Sequence, residues 1–251
     1  MSRRYDPTHV AHTGFEMAMI ERRPYVSLSG DERAWLKARH HISFARRAGE
    51  SPDRWGALRA LNDDEIAPHS GFPSHAHANM EIITYVRQGV ITHRDDLGNT
   101  GETRAGDVQV MSAGTGIRHS EYNLQDSLAC IFQIWIAPDR AGGAPAWGKK
   151  PFPKSDWADH LVVLASGFRE DAEALPIRAR ARVLGATLRT GGQLEYTTRP
   201  DRLSYVAASR GRLEVNGVCL EERDGAAIKD VSGIVLTALL DVELVLVDVS
   251  A

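Results

Sequence analysis

Cysteine is nearly absent from this chain of 251 residues: Cys130 and Cys219 are the only two, and no CxxC spacing accompanies them. That excludes a disulfide framework and a thiolate zinc site, and it fits a reducing compartment, so a cytoplasmic protein is expected. Long apolar runs are missing as well. Near the start the longest is Met17–Ile20, far short of the roughly 7 to 15 residues of a signal core, and no stretch approaches membrane-spanning length. Charge of one sign is also lacking, because 30 basic residues meet 33 acidic ones for a net charge of −3. Such a balance supplies no overall positive field for nucleic acid. What is present is a 43% hydrophobic fraction, enough to bury a sizeable core, on a length that predicts one or two domains.

The order along the chain is that of an all-β protein. Residues 1–30 show no sustained period and are read as an N-terminal arm or first strand. Short apolar β segments then follow at Ala57–Leu61, Glu81–Val86, Val90–His93, Val108–Met111 and Cys130–Ile136. Reversals are expected between them at Asn62-Asp63-Asp64, Asp95–Asn99, Ala105-Gly106-Asp107 and Gly114–Gly116, all rich in the residues that tight turns need. A cluster of Pro and Gly over 138–153 reads as an interdomain connection. Beyond it the same grammar resumes at Leu161–Leu164, Arg182–Arg189, Leu203–Val206, Arg212–Val215, Gly233–Leu239 and Val242–Val247. Tyr205-Val206, Gly211 and Asp224-Gly225 recur in the order of Tyr85-Val86, Gly89 and Gly106-Asp107, a faint internal repeat. Many short strands separated by turns indicate sandwiches or barrels.

Histidine is unevenly spread: none of the ten lies beyond position 160, so an imidazole metal site belongs to the first half. His75 and His77 are two apart, and side chains at i and i+2 of a strand share a face. His119 and Glu121 repeat that spacing after the Gly114–Gly116 turn, and an antiparallel fold can set the second pair opposite the first. Three imidazoles and one carboxylate would then surround a divalent ion. Glu81 competes for the carboxylate place, because its even separation from His77 gives it the same face on a regular strand. His93 is expected in a hydrogen bond near the cavity, and the adjacent His40 and His41 face opposite ways. Ser120 turns away from the site, which argues against a serine hydrolase.

The run Gly71-Phe72-Pro73-Ser74-His75-Ala76-His77, followed by Met80-Glu81, Thr84-Tyr85-Val86, His93-Arg94-Asp95, Leu97-Gly98-Asn99, Gly106-Asp107 and Met111 through Glu121, resembles the pirin branch of the cupin superfamily. The likeness runs from about Trp35 and Ser43-Phe44-Ala45 through Trp135, and is nearest to bacterial pirin-like quercetin 2,3-dioxygenases. It implies a bicupin, two antiparallel β-barrel or jelly-roll domains packed face to face. Residues 31–137 would be the metal-binding cupin domain, 138–153 the linker and 154–251 a degenerate, metal-free cupin domain. It also implies the ligand set His75, His77, His119 and Glu121, which decides for Glu121 over Glu81 and leaves Glu81 as a neighbour or buried hydrogen-bond partner.

Three imidazoles and a carboxylate around a six-coordinate ion leave roughly two open positions, the arrangement of non-haem iron oxygenases, so Fe(II) is expected, with Mn, Co, Ni, Cu or Zn as other occupants. By resemblance the substrate is a flavonol such as quercetin, or a related phenol or enediol, cleaved with dioxygen and releasing carbon monoxide. Glu121 acts as the catalytic base, and Glu121→Gln is expected to weaken chemistry more than folding. The other function the family implies is a non-enzymatic, iron-dependent redox sensor that binds a protein partner. The protein is expected to act as a monomer without touching nucleic acid or membrane.

Overall fold

The computed structural model describes residues 18–43, 54–152 and 158–251. Residues 1–17 of the expected arm and the Phe44-Ala45 part of the family likeness lie outside the described residues. In chain order the strands are β1 (Met19–Arg23), β2 (Ser29–Arg33), β3 (Leu36–Ile42), β4 (Leu58–Ile66), β5 (Ser70–His77), β6 (Glu81–Gln88), β7 (Val90–Asp95), β8 (Thr100–Arg104), β9 (Asp107–Ser112), β10 (Ile117–Asn123), β11 (Ala129–Ile136) and β12 (Ala146–Pro151). The remaining strands are β13 (Val162–Ser166), β14 (Leu175–Pro176), β15 (Arg182–Leu188), β16 (Gln193–Thr197), β17 (Arg202–Arg210), β18 (Leu213–Val215), β19 (Val218–Leu220), β20 (Gly225–Lys229), β21 (Gly233–Ala238) and β22 (Val242–Ser250). Among the described residues the one helical element is a 3-10 turn at Tyr25–Ser27.

Each half pairs a seven-stranded sheet with a four-stranded one, and the two halves share a topology. The large sheets run β12-β9-β6-β11-β4-β3-β2 and β1-β20-β17-β22-β15-β13-β14, and the small ones run β5-β10-β7-β8 and β16-β21-β18-β19. Superposing the orders matches β6 with β17, β9 with β20, β11 with β22 and β10 with β21. Tyr85 on β6 and Tyr205 on β17 thus occupy equivalent strands, and both are fully buried. The fold is all-β, two jelly-roll domains whose sheets keep open edges instead of closing into barrels.

Burial explains the strand sequences. β6 and β22 are buried along nearly their whole length and read as continuous apolar runs, because both of their faces are covered. On β10, by contrast, burial alternates: Ile117, His119, Glu121 and Asn123 point inward while Arg118, Ser120 and Tyr122 are less buried. The two large sheets pack face to face through one apolar cluster containing Tyr85, Phe132 and Ile134 from one half and Tyr205, Val245 and Val247 from the other.

Asn62-Asp63-Asp64 was expected as a reversal and instead lies inside β4. Turn propensity loses there to ion pairing: the fully buried Asp63 accepts hydrogen bonds from Arg223 Nε at 2.6 Å and Nη2 at 2.8 Å, and pairs with Arg87. Within the Pro/Gly-rich stretch 138–153, residues Ala146–Pro151 form edge strand β12 on β9. Within 1–30, Met19–Arg23 pairs with β20 of the opposite half.

Candidate metal centre

The small sheet of the first half assembles the site. Register on β10 sets Ile117 against His77 and His119 against His75 on one side, and His119 against Asp95 and Glu121 against His93 on the other. Between His119 and Glu121 the partner on β5 jumps from His75 to Phe72, so one extra residue is taken up at Pro73-Ser74. Proline, which has no N–H for the ladder, suits such a bulge. The result gathers the three imidazoles: ring centroids lie 4.5 Å apart for His75–His119, 4.7 Å for His75–His77 and 5.1 Å for His77–His119. One donor atom from each lies within 4.8 Å of the other two.

These imidazoles are prepared for a cation. His75 Nδ1 donates to the Pro73 carbonyl at 2.8 Å, which leaves its Nε2 lone pair free. His77 Nε2 and both ring nitrogens of His119 are buried with no hydrogen-bond partner among the described residues. Burial, reinforced by the His119 and His75 rings, pulls the His77 pKa down to about 4. Burial, followed by His75 and His93, pulls that of His119 down to about 3. Both are therefore neutral at pH 7, the form that ligates metal. Unpartnered buried nitrogens are costly, and a shared divalent ion takes up one nitrogen of each ring at once. The residues fit such an ion.

Glu121 shares the cavity but not the tight cluster of donor atoms. Its Oε1 accepts from Gln109 Nε2 at 2.6 Å and from Thr84 Oγ1 at 2.9 Å, while Oε2 accepts from Gln133 Nε2 at 2.6 Å. Asp64, on β4, lines the same cavity, and burial, with Asp63 and Glu121 adding to it, pushes its pKa up to about 8. Glu81 takes the role of buried hydrogen-bond partner left to it. It is buried against Ser112, whose hydroxyl donates to it at 2.5 Å, and it does not line the cavity. The even spacing from His77 fails because β5 ends at His77 and a turn with Asn79 at φ 51° precedes β6.

The cavity beside the rings has a volume of about 60 Å³ and its apolar wall is Phe72, Ile82 and Trp135. Trp135 packs against the apolar cluster of Ile82, Met111, Ala113 and Ile117 and lies edge-on to His77 with centroids 4.9 Å apart. Trp147, on β12, stacks flat on His93 at 4.8 Å. Thr84, Gln109 and Gln133, which clamp Glu121, escaped the sequence reading. The readable signal was a polar side chain placed within otherwise apolar β segments, as at Thr84 and Gln133. In the second half the equivalent strands β16 and β21 carry Leu194, Tyr196, Ile234 and Leu236, all part of an apolar cluster. No helix of the described residues is long and apolar enough to cross a membrane.

Comparison with known proteins identifies relatives of the same fold. The Pirin family profile matches residues 21–136, and the profile described as the quercetinase C-terminal cupin domain matches residues 163–249. A Caulobacter vibrioides protein named "Pirin-like protein" is 60% identical over 92% of this chain and 99% of its own length. The Escherichia coli K12 protein named "Quercetin 2,3-dioxygenase" is 34% identical over 85% of this chain and 91% of its own. The crystal structure of the E. coli bacterial pirin YhhW in complex with nickel(II) superposes with a TM-score of 0.84 at 33% identity, covering 92% of this chain and 99% of that one. With its histidine triad placed to hold a metal ion, the chain belongs to the pirin family of the cupin superfamily.

Proposed function

We propose that the protein is a metal-dependent dioxygenase of the quercetin 2,3-dioxygenase type, opening flavonols or related enediols with dioxygen and releasing carbon monoxide. The observation that carries this reading is the set of buried, unpartnered imidazole nitrogens facing one cavity with an anchored carboxylate beside them. The relatives support it: one bears that enzyme's name, and a similar fold was crystallised with nickel(II). In this reading His75, His77 and His119 hold one divalent ion, Fe(II) by preference or else Mn, Co, Ni, Cu or Zn, and Glu121 is the fourth protein donor. The ion site belongs to residues 31–137, joined through 138–153 to a cupin domain without metal at 154–251. The two cysteines are both free, which suits the cytoplasm.

When bound, the ion would supply Lewis acidity toward the substrate's oxygens and the redox partner for dioxygen chemistry. The chain supplies the rest. Glu121 accepts the proton of the flavonol 3-hydroxyl, and Gln109, Gln133 and Thr84 hold its carboxylate toward the cavity. Phe72, Ile82 and Trp135 exclude water around the reacting edge. A cavity of about 60 Å³ falls well below the roughly 300 Å³ at which sites for drug-sized ligands begin. It therefore takes the oxygen-bearing edge of the ring system, and the remainder rests at the mouth. Single-ring enediols should accordingly compete with quercetin.

The test starts from protein purified without added ions and analysed for metal. It is then loaded with Fe(II), Mn(II) or Ni(II) and given quercetin under oxygen, with loss of the flavonol band and carbon monoxide release followed together. Cleavage by at least one loaded form, absent in His75→Ala and His119→Ala, is expected. Fully loaded protein that leaves flavonols and enediols intact overturns the reaction, and unchanged metal content in both variants overturns the ligand set.

A further inference from the structure

His93 sits directly behind the triad and takes no part in the ligand set. It is fully buried on β7, its ring stacks on Trp147, and its centroid is 5.3 Å from that of His119. Its Nε2 lies 3.0 Å from Asp95 Oδ2. Asp95 is rich in donors already: Oδ1 accepts the backbone N–H groups of Leu97 at 3.1 Å and Asn99 at 2.9 Å, and Oδ2 accepts Asn99 Nδ2 at 2.9 Å. A carboxylate so placed can only accept from His93, so Nε2 carries the hydrogen and Nδ1 keeps a lone pair. That Nδ1 is buried and has no partner among the described residues.

The neighbouring ring has the opposite need. His119 spends one nitrogen on the ion in the reading above, and its other nitrogen then carries an N–H that is buried and equally unpartnered. Metal-bound imidazoles almost always donate that second N–H, and the acceptor fixes both ring orientation and ligand strength. We propose that His93, locked as an acceptor by Asp95, is the positioning residue for His119. It receives the N–H that points away from the ion and completes a chain from Asp95 through His93 and His119 to the metal. The small sheet builds this chain: Asp95 and His93 are two apart on β7 and lie opposite His119 and Glu121 on β10.

This inference rests on the metal reading, and the experiment separates the two. Ni²⁺ affinity is measured by competition against a chromophoric chelator for the wild type, His93→Phe, His93→Gln and Asp95→Asn. His93→Phe keeps a flat ring for Trp147 but removes the acceptor, and it should weaken Ni²⁺ binding by about 10- to 100-fold. His93→Gln offers an amide oxygen in its place and should stay within about threefold of wild type. Asp95→Asn keeps an oxygen for the backbone donors and turns an NH₂ toward His93 Nε2. The His93 hydrogen then moves to Nδ1, so this isosteric change should weaken binding at least about tenfold, and it decides the matter alone if His93→Phe fails to fold. Wild-type protein that takes no Ni²⁺ overturns the metal reading and this inference together. Wild-type protein that binds Ni²⁺, alongside Phe and Asn variants that bind within threefold of it or a Gln variant as weak as Phe, overturns this inference alone.

Discussion

Glu121 is only 1% exposed, and both its oxygens are taken by donors. This changes what its replacement should do. A glutamine has one oxygen and one NH₂, so one end would face the NH₂ of Gln109 or Gln133, setting donor against donor in a buried site. Glu121→Gln should therefore cost about 1–3 kcal/mol of stability besides any loss of activity, a larger folding cost than expected for a domain with its own apolar core. Thermal unfolding of the metal-free variant checks this, and an unchanged melting temperature would show the clamp to be slack. His41 is a residue-scale test away from the site. It is buried beside Tyr205, whose hydroxyl lies 3.2 Å from Nδ1, and burial, only partly offset by Asp63, pulls its pKa from 6.5 to about 4. The unfolded chain therefore takes up this proton first as pH falls. Stability from this group is intact above about pH 6.5 and is lost between about 6.5 and 4, by about 3 kcal/mol in total. Denaturant unfolding should show wild type losing about 2 kcal/mol relative to His41→Leu between pH 7.5 and 5, and parallel pH profiles would count against it.

At the scale of the element, the site depends on how closely β5 and β10 lie, which no ligand controls directly. Gly71 on β5 faces the backbone of β10: a Cβ there would lie 2.2 Å from the Glu121 carbonyl oxygen and 2.6 Å from Tyr122 Cα. Gly71→Ala must push the two strands apart, and those strands carry His75, His77 and His119. The variant should lose about 2 kcal/mol or more of stability and bind Ni²⁺ at least tenfold more weakly, although residue 71 has no donor atom. Calorimetry and chelator competition on the same preparation test both. The legible parts of the fold were those where one periodicity ruled. The i, i+2 spacing on β5 and β10 placed three of the four expected ligands together, and the apolar runs of β6, β11 and β22 announced buried strands. Asn62-Asp63-Asp64 misled because its turn chemistry is outweighed by arginines from β6 and from the turn before β20, distant in sequence. Glu81 stands where the family likeness left it, as a buried hydrogen-bond partner; the spacing alone could not exclude it, because a left-handed residue, Asn79, breaks the parity that spacing assumes. The clamp around Glu121 draws on β6, β9, β10 and β11 at once, and only the register reveals it.

Across the whole molecule, one topology is used twice with different contents. Where β5 and β10 present histidines, β16 and β21 present Leu194, Tyr196, Ile234 and Leu236 to an apolar cluster, so the second half fills its interior with side chains where the first keeps a cavity. That half still contributes to the first. Tyr85 donates to Glu243 across the junction, Arg223 reaches Asp63 and Glu65, and Trp55 Nε1 donates to the Ser204 carbonyl at 2.9 Å. The chain also crosses over, since β1 from the N-terminal end is an edge strand of the second half's large sheet. Large buried side chains from both large sheets meet in one cluster, and separating the halves would expose Tyr85 and Phe132 on one and Tyr205 and Val247 on the other. Apolar burial contributes roughly 25 cal/mol per Å², and total stabilities are only about 5–15 kcal/mol, so exposing this shared cluster weighs heavily against either half folding alone. The intact protein should thus unfold in a single cooperative transition. Fragments 18–152 and 158–251, made separately, should bind hydrophobic dye and lack near-ultraviolet dichroism, and the second lacks β1 besides. A fragment that stays monomeric, excludes the dye and melts sigmoidally would mean that the shared cluster is an interface between independent domains and not a common core.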